Sequence, residues 1–271
     1  MANKNPLQHK ARKRFGQNFL VDFGVIRHIV RAIGPQTDDN IVEIGPGQGA
    51  ITASLLESCT ELNVIELDRD LIPILKVKFD RNPGFKVHEC DALKFDFAGL
   101  AQAERPLRVV GNLPYNISTP LIFHLLSYKD CIADMHFMLQ KEVVMRLAAK
   151  PGDKNYGRLS VMAQYWCETE DLFDVPPECF DPAPKVVSAI VRLTPHKNLP
   201  YPAQSFEELE RVVKLAFSQR RKTLRNALKP LLETLPENTE LCVDLGCRAE
   251  QLGLEQFVAL ANQITELQKL A

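Results

Sequence analysis

No two of the seven cysteines stand at Cys-x-x-Cys spacing, and their number is odd. Neither a disulfide framework nor a zinc site is indicated; scattered thiols suit a reducing compartment. No apolar run reaches the roughly 18 residues of a membrane span. The basic N-terminus is followed by no apolar stretch of the kind a secretory signal needs. A cytoplasmic protein without a membrane anchor is the expectation. The rest is ordinary for a globular chain. It has 271 residues, 45% hydrophobic and 25% charged, which is room for a large and a small domain and for a sizeable core.

A large net charge is also lacking, the formal value being −1. Its distribution is uneven. Residues 1–14 hold Lys4, Lys10, Arg12, Lys13 and Arg14 and no acid. Residues 211–229 hold Arg211, Lys214, Arg220, Arg221, Lys222, Arg225 and Lys229, again with no acid. These segments carry 12 of the 33 basic residues, leaving 21 bases against 34 acids elsewhere. Positive charge concentrated in this way is what a polyanion-binding surface requires. A basic tail and a solvated helix face would give the same composition.

Short apolar runs alternate with helical patterns over the first two thirds of the chain. Strands are expected at 40–44, 62–67, 85–88, 107–110 and 135–139, with further ones at 159–167 and 186–193. Helices are expected at 48–58, 68–79, 118–127 and 141–149, with Pro73 tolerated only in a first turn. This alternation gives parallel β-α-β units covered on both faces. Right-handed crossovers put the C-terminal ends of the strands on one edge, where ligands of such sheets bind. Gly45, Glu66, Asp91 and Asn112 all fall there. Residues 195–202, with three prolines, read as a linker, and the remainder as helical. Ser205 and Glu208 have the spacing of a capping box, so a helix is expected to start there.

Gly45-x-Gly47-x-Gly49 follows a strand and opens a helix. Glycines let the chain turn tightly and let a ligand approach the backbone. The spacing is not the Gly-x-Gly-x-x-Gly of dinucleotide folds. Glu66, ending the next strand, can accept from both hydroxyls of a ribose, and Asp91, after the third strand, from an adenine amino group. An adenosyl ligand without a pyrophosphate fits, and S-adenosylmethionine is the common one. A nucleotide-dependent dehydrogenase is the rival for this loop.

Asn112-Leu113-Pro114-Tyr115 ends the fourth strand. An adenine N6 amine is a poor nucleophile, because its lone pair is delocalised into the ring. The Asn112 side-chain oxygen and the Leu113 carbonyl can accept its N–H groups and favour a pyramidal nitrogen. Pro114 stiffens that backbone. Tyr115 offers a face on which a base stacks, worth ~1–3 kcal/mol, and Phe180 is the candidate for its other face. The base must be flipped or unpaired to reach such a pocket. No strong general base and no metal are required.

In chain order the sequence carries Phe15-Gly16-Gln17-Asn18-Phe19-Leu20, Val42-Glu43-Ile44-Gly45-Pro46-Gly47-Gln48-Gly49, Val64-Ile65-Glu66-Leu67-Asp68, Asp91-Ala92-Leu93, Asn112-Leu113-Pro114-Tyr115-Asn116 and Phe180-Asp181-Pro182-Ala183-Pro184-Lys185-Val186. With these it resembles the ribosomal RNA adenine dimethylase family from about Arg12 to the C-terminus. Within the family it looks like the branch acting on the bacterial small subunit.

The resemblance implies an α/β, Rossmann-like class I S-adenosylmethionine methyltransferase with a seven-stranded, mostly parallel sheet. A catalytic domain over 1–194 with a basic N-terminal arm would be followed by a small all-α RNA-binding domain over 195–271. Asn18 and Leu20 would complete the donor site with Gly45, Gly47, Glu66, Asp91 and Asn112. The substrate would be two adjacent adenines in the 3′-terminal hairpin loop of 16S ribosomal RNA, in an immature small subunit, taking four methyl groups. Arg12, Lys13 and Arg14 with Arg220, Arg221, Lys222 and Arg225 would contact the RNA, positioning it through phosphates, and the protein would act as a monomer. Two alternatives stay open: the related enzymes that methylate large-subunit RNA and confer macrolide resistance, and a non-catalytic assembly factor that kept the fold. Residues 180–186 and the 220–225 cluster favour the small-subunit branch over the first. Glu66, Asp91 and Asn112 argue against the second.

Overall fold

Two five-residue runs, Asn40–Ile44 and Leu62–Glu66, are buried along their whole length, as strands covered on both faces must be. They lie within the first of two compact units in the computed structural model, which describes residues 12, 17–102, 104–236 and 239–270. The first unit is Met1–Val144 with Glu170–Pro195, and the second is Met145–Thr169 with His196–Ala271. The sequence places a single boundary at 194/195. The chain does cross between units beside it, after Pro195, but Met145–Thr169 also goes with the C-terminal part.

In chain order come β1 (Phe19–Leu20), α1 (Phe23–Ile33), β2 (Asn40–Ile44), α2 (Ala50–Leu55), β3 (Leu62–Glu66), α3 (Leu71–Lys78), β4 (Phe85–Glu89), β5 (Leu107–Asn112), α4 (Ser118–Leu126) and β6 (Ile132–Gln140). Next are α5 (Lys141–Ala148), α6 (Arg158–Trp166), β7 (Cys167–Val175), β8 (Phe180–Asp181) and β9 (Ser188–Pro195). Seven strands form one sheet in the order β4-β3-β2-β5-β6-β9-β7. The pairings from β4 through to β6 are parallel, and β9 is antiparallel to β6. This is the mostly parallel α/β sheet expected. Pro73 is the third residue of α3, inside the first turn, where a missing N–H costs nothing.

One expected strand is corrected. Residues 158–166 are helix α6, and the strand follows it as β7. Leu159, Ser160, Val161, Met162, Ala163 and Tyr165 of α6 are all buried, so the helix is enclosed on nearly every side. A helix of this kind has no polar stripe, and short apolar runs read the same for helix and strand.

The second unit is helical, with α7 (Phe206–Ala216), α8 (Leu224–Ala227), α9 (Lys229–Leu232) and α10 (Leu254–Leu270) after the linker. Tyr165 of α6, Leu209 and Val213 of α7 and Phe257, Leu260 and Ile264 of α10 share one core. The Ser205 hydroxyl accepts from the Glu208 N–H at 3.1 Å, capping α7 as its spacing implies.

The register at the centre of the sheet places the site. Ile44 lies opposite Ile65 on one side and Gly111 on the other. The residues that follow these three, Gly45, Glu66 and Asn112, therefore leave the sheet side by side. A Cβ on Gly111 would stand 2.5 Å from the Ile44 carbonyl oxygen, and backbone cannot give way as a side-chain tip can. Gly111→Ala is expected to cost roughly 1–3 kcal/mol, the range for overpacking a close-packed interior, measured as a lower denaturant midpoint at unchanged m-value.

Candidate active site at the sheet edge

The glycine loop leaves β2 with Gly45, Gly47 and Gly49 at φ of 66°, 59° and 76°, a left-handed run that a side chain would strain. The Gly45 N–H donates to the Ile65 carbonyl at 2.9 Å, which ties the loop to the end of β3. At Gly49 a Cβ would also fall 2.6 Å from the Phe79 ring.

Glu66 ends β3 and is 6% exposed. Its carboxylate accepts the Asp68 N–H at 2.7 Å. Burial pushes its pKa up, opposed by the backbone N–H groups of Asp68, Gly47 and Leu67. The Asp91 carboxylate, just past β4, accepts the Leu93 N–H at 3.0 Å through Oδ1. A carboxylate has about four acceptor sites, so each acid keeps capacity for a ligand.

Asn112 closes the edge. Its Nδ2 donates to the Asn18 carbonyl at 3.1 Å. A carbonyl can only accept, so this bond fixes the amide's orientation and turns Oδ1 to the other side. The Leu113 N–H donates to the Met138 carbonyl at 3.2 Å, and the Leu113 side chain is fully buried. The Tyr115 hydroxyl shares a hydrogen bond of 2.9 Å with the buried Ser188 hydroxyl.

One cavity brings together Asn18, Gly45, Glu66, Asp91, Asn112, Leu113 and Tyr115, each expected from the sequence. Gln17 and Cys90 line it as well; the position of Cys90, between the end of β4 and Asp91, was its signal. Three expected residues do not line it. Gly47 instead gives its backbone to Glu66. Leu20 of β1 pairs with Phe180 of β8, and both are buried in one apolar cluster with Ile26 and Ile190. Phe180, expected to face the target base, is 5% exposed in that cluster. The cause is the β1–β8 pairing, extended by the Val21 N–H donating to the Cys179 carbonyl at 2.9 Å.

The basic residues divide. Lys13 and Arg14 lie outside the described residues. The Arg12 guanidinium is committed to the carboxylates of Asp68 and Asp70. Arg220 is exposed but reaches the Lys154 carbonyl and lies 3.5 Å from Glu250. Arg221, Lys222 and Arg225 are exposed. Arg220, Arg221 and Lys222 sit on the turn between α7 and α8, rather than on a helix face.

The model of the ribosomal RNA adenine dimethylase family matches residues 8–266. Among curated relatives, a ribosomal RNA small subunit methyltransferase A of Saccharophagus degradans is 66% identical, over 97% of this chain and 99% of that protein. The protein of the same name from Pseudomonas aeruginosa is 62% identical, over 96% of this chain and 97% of its own. Among solved structures, a dimethyladenosine transferase from Plasmodium falciparum matches with a TM-score of 0.78 at 27% identity, covering 92% of this chain and 98% of that one. The 23S rRNA methyltransferase ErmE matches with a TM-score of 0.72 at 25% identity, covering 92% and 100%.

Beneath the glycine loop lies a second buried acid, Glu43, 2% exposed. It accepts the Thr52 hydroxyl at 2.6 Å. Burial pushes its carboxyl up to about 7, the Thr52 bond and Lys78 opposing the shift and Glu66 adding to it. Folding thus favours the neutral acid. The stability this contributes is complete below pH ~4.5, the unfolded value, and is lost as pH rises through about 7. Glu43→Gln, which cannot ionise, is expected to flatten the fall in unfolding free energy across that window. It should leave the variant more stable than wild type at pH 8, by up to about 3 kcal/mol. Equal pH profiles by urea titration would refute this.

Proposed function

The chain belongs to the ribosomal RNA adenine dimethylase family, and from that premise we propose that it transfers methyl groups from S-adenosylmethionine to N6 of two adjacent adenines in the 3′-terminal hairpin loop of 16S ribosomal RNA. The observation carrying this reading is the meeting of Gly45, Glu66, Asp91, Asn112 and Tyr115 in one cavity. The donor set suits the adenosyl ligand. Glu66 and Asp91 each keep an acceptor for the ribose hydroxyls and the adenine amine, and the loop offers backbone without side chains. Relatives of 66% and 62% identity named for the small subunit favour 16S over the 23S substrate named for ErmE.

Bound there, S-adenosylmethionine supplies a methyl group whose carbon–sulfur bond breaks as the N6 lone pair attacks. The residues of the chain prepare the amine. Asn112 Oδ1 and the Leu113 carbonyl accept its N–H groups, drawing the lone pair out of the ring. Tyr115 stacks on the base. The nitrogen is acidic once the new bond forms, so its proton passes to water. Holding the amine in line is an orientation effect, and misplacement by about 1 Å can cost ~100-fold in rate. The target base has to leave its stack to be held this way. Arg221, Lys222 and Arg225 make the phosphate contacts in this reading. In this reading the site of action is the cytoplasm and the working form a monomer.

Purified protein with labelled S-adenosylmethionine is expected to place label in N6-dimethyladenine of immature small subunits from a strain lacking the modification. Asn112→Ala is expected to abolish that transfer and leave RNA affinity in place. Unlabelled subunits, or an equal loss of RNA affinity in the variant, would refute the assignment. Charge reversal at Arg221 and Lys222 is expected to weaken RNA binding and shallow the slope of log K against log salt, by ~0.7–0.9 per lost phosphate contact. An unchanged slope would return the cluster to a solvated turn.

A further inference from the structure

Asp68 is 1% exposed and is not among the residues lining the cavity, yet it bonds to two that are, Glu66 and Gln17. Its backbone N–H donates to Glu66 Oε1 at 2.7 Å. Its Oδ1 accepts Arg12 Nη1 at 3.0 Å and the Asp70 N–H at 3.2 Å. Its Oδ2 accepts Gln17 Nε2 at 3.0 Å. The Arg12 backbone N–H donates to Gln17 Oε1 at 2.8 Å, so the two residues that grip Asp68 are also bonded to each other. The residue after Gln17 is Asn18, whose carbonyl receives the Asn112 amide.

We infer that Asp68 is a positioning residue for methyl transfer: by docking Arg12 and Gln17 at the end of β3, it sets the Asn18 carbonyl that orients Asn112 and closes the donor cavity. The inference rests on the methyl-transfer reading of the cavity. Its physical basis is the demand of a buried carboxylate for partners. Arg12 meets one oxygen of Asp68 and Gln17 the other, and withdrawing Arg12 takes a guanidinium away from a buried carboxylate. The β1–β8 pairing holds Phe19 and Leu20 independently of this. What Asp68 adds is therefore the stretch just before β1, which carries Gln17 and Asn18. Without that stretch the Asn112 amide has no fixed acceptor, and its Oδ1 is no longer held toward the target amine.

Asp68→Asn keeps the size of the side chain but turns an acceptor into a donor facing Gln17 and Arg12. Arg12→Met removes the counterion from a residue one-third exposed, leaving the core untouched. In both variants, affinity for S-adenosylhomocysteine by calorimetry and kcat for transfer to small subunits are each expected to fall roughly tenfold or more, the scale of a lost charge-assisted hydrogen bond. RNA affinity should stay at the wild-type value. Hydrogen-exchange protection should be lost at Arg12, whose N–H donates to Gln17, and kept at Val21 and Asp22. Arg12→Lys should restore part of the loss, and the double variant should be no worse than Asp68→Asn alone. Wild-type values of S-adenosylhomocysteine affinity and kcat in both variants would overturn the inference. So would a parallel fall in donor affinity, RNA affinity and melting temperature, which marks a general folding defect. Wild-type protein that binds S-adenosylhomocysteine but does not methylate small subunits would count against the proposed function instead, and the binding and exchange comparison would still decide the role of Asp68.

Discussion

Parallel pairing in a fixed register, β2 against β3 on one side and β5 on the other, is the constraint on which the site depends. Ile44 sits between Ile65 and Gly111, and each strand then gives way to a functional residue. Gly45, Glu66 and Asn112 are far apart in the chain and meet only because these ladders end together. A slip of one residue would turn every side chain of a strand to the opposite face. The buried, two-sided faces of β2 and β3 leave such a slip no acceptable alternative. The close approach at Gly111 tightens the same junction, since a larger residue would push β5 from β2 where Asn112 begins.

Three carboxylates crowd that junction, and each is accommodated differently. Glu43 is pushed toward neutrality by burial. Glu66 is supported by backbone N–H groups. Asp68 takes a guanidinium and an amide from the N-terminal segment. Isolated buried anions would be costly, and distributing the burden leaves Glu66 with acceptor capacity for a ligand.

Much of this was readable in the sequence. A glycine loop after an apolar run, acids at the ends of the next runs and an Asn-Leu-Pro-Tyr after the fourth are local signals, and they locate the edge without knowledge of the sheet order. What local signals do not carry is contact made at a distance. Leu159–Trp166 reads as a strand because a nearly enclosed helix shows no amphipathic stripe. Phe180 reads as a base-stacking ring, because nothing near it in the chain says that Leu20 will pair with it and draw it into the core. Arg12 reads as a phosphate contact by charge alone. Its partners, Asp68 and Asp70, lie more than fifty positions away.

The order of the strands also bears on how the protein is made. β6 is hydrogen-bonded on its far side to β9, whose first residue, Ser188, is synthesised well after Gln140. Between them the ribosome delivers Met145–Thr169, which belongs to the other unit. Nascent chain ending near residue 170 therefore carries a sheet with an open edge at β6, together with α6 of a unit whose remaining helices are not yet translated. Unpaired strand edges of this kind are where growing chains associate. The interval between the emergence of β6 and that of β9 is thus the period in which that strand edge stands unpaired.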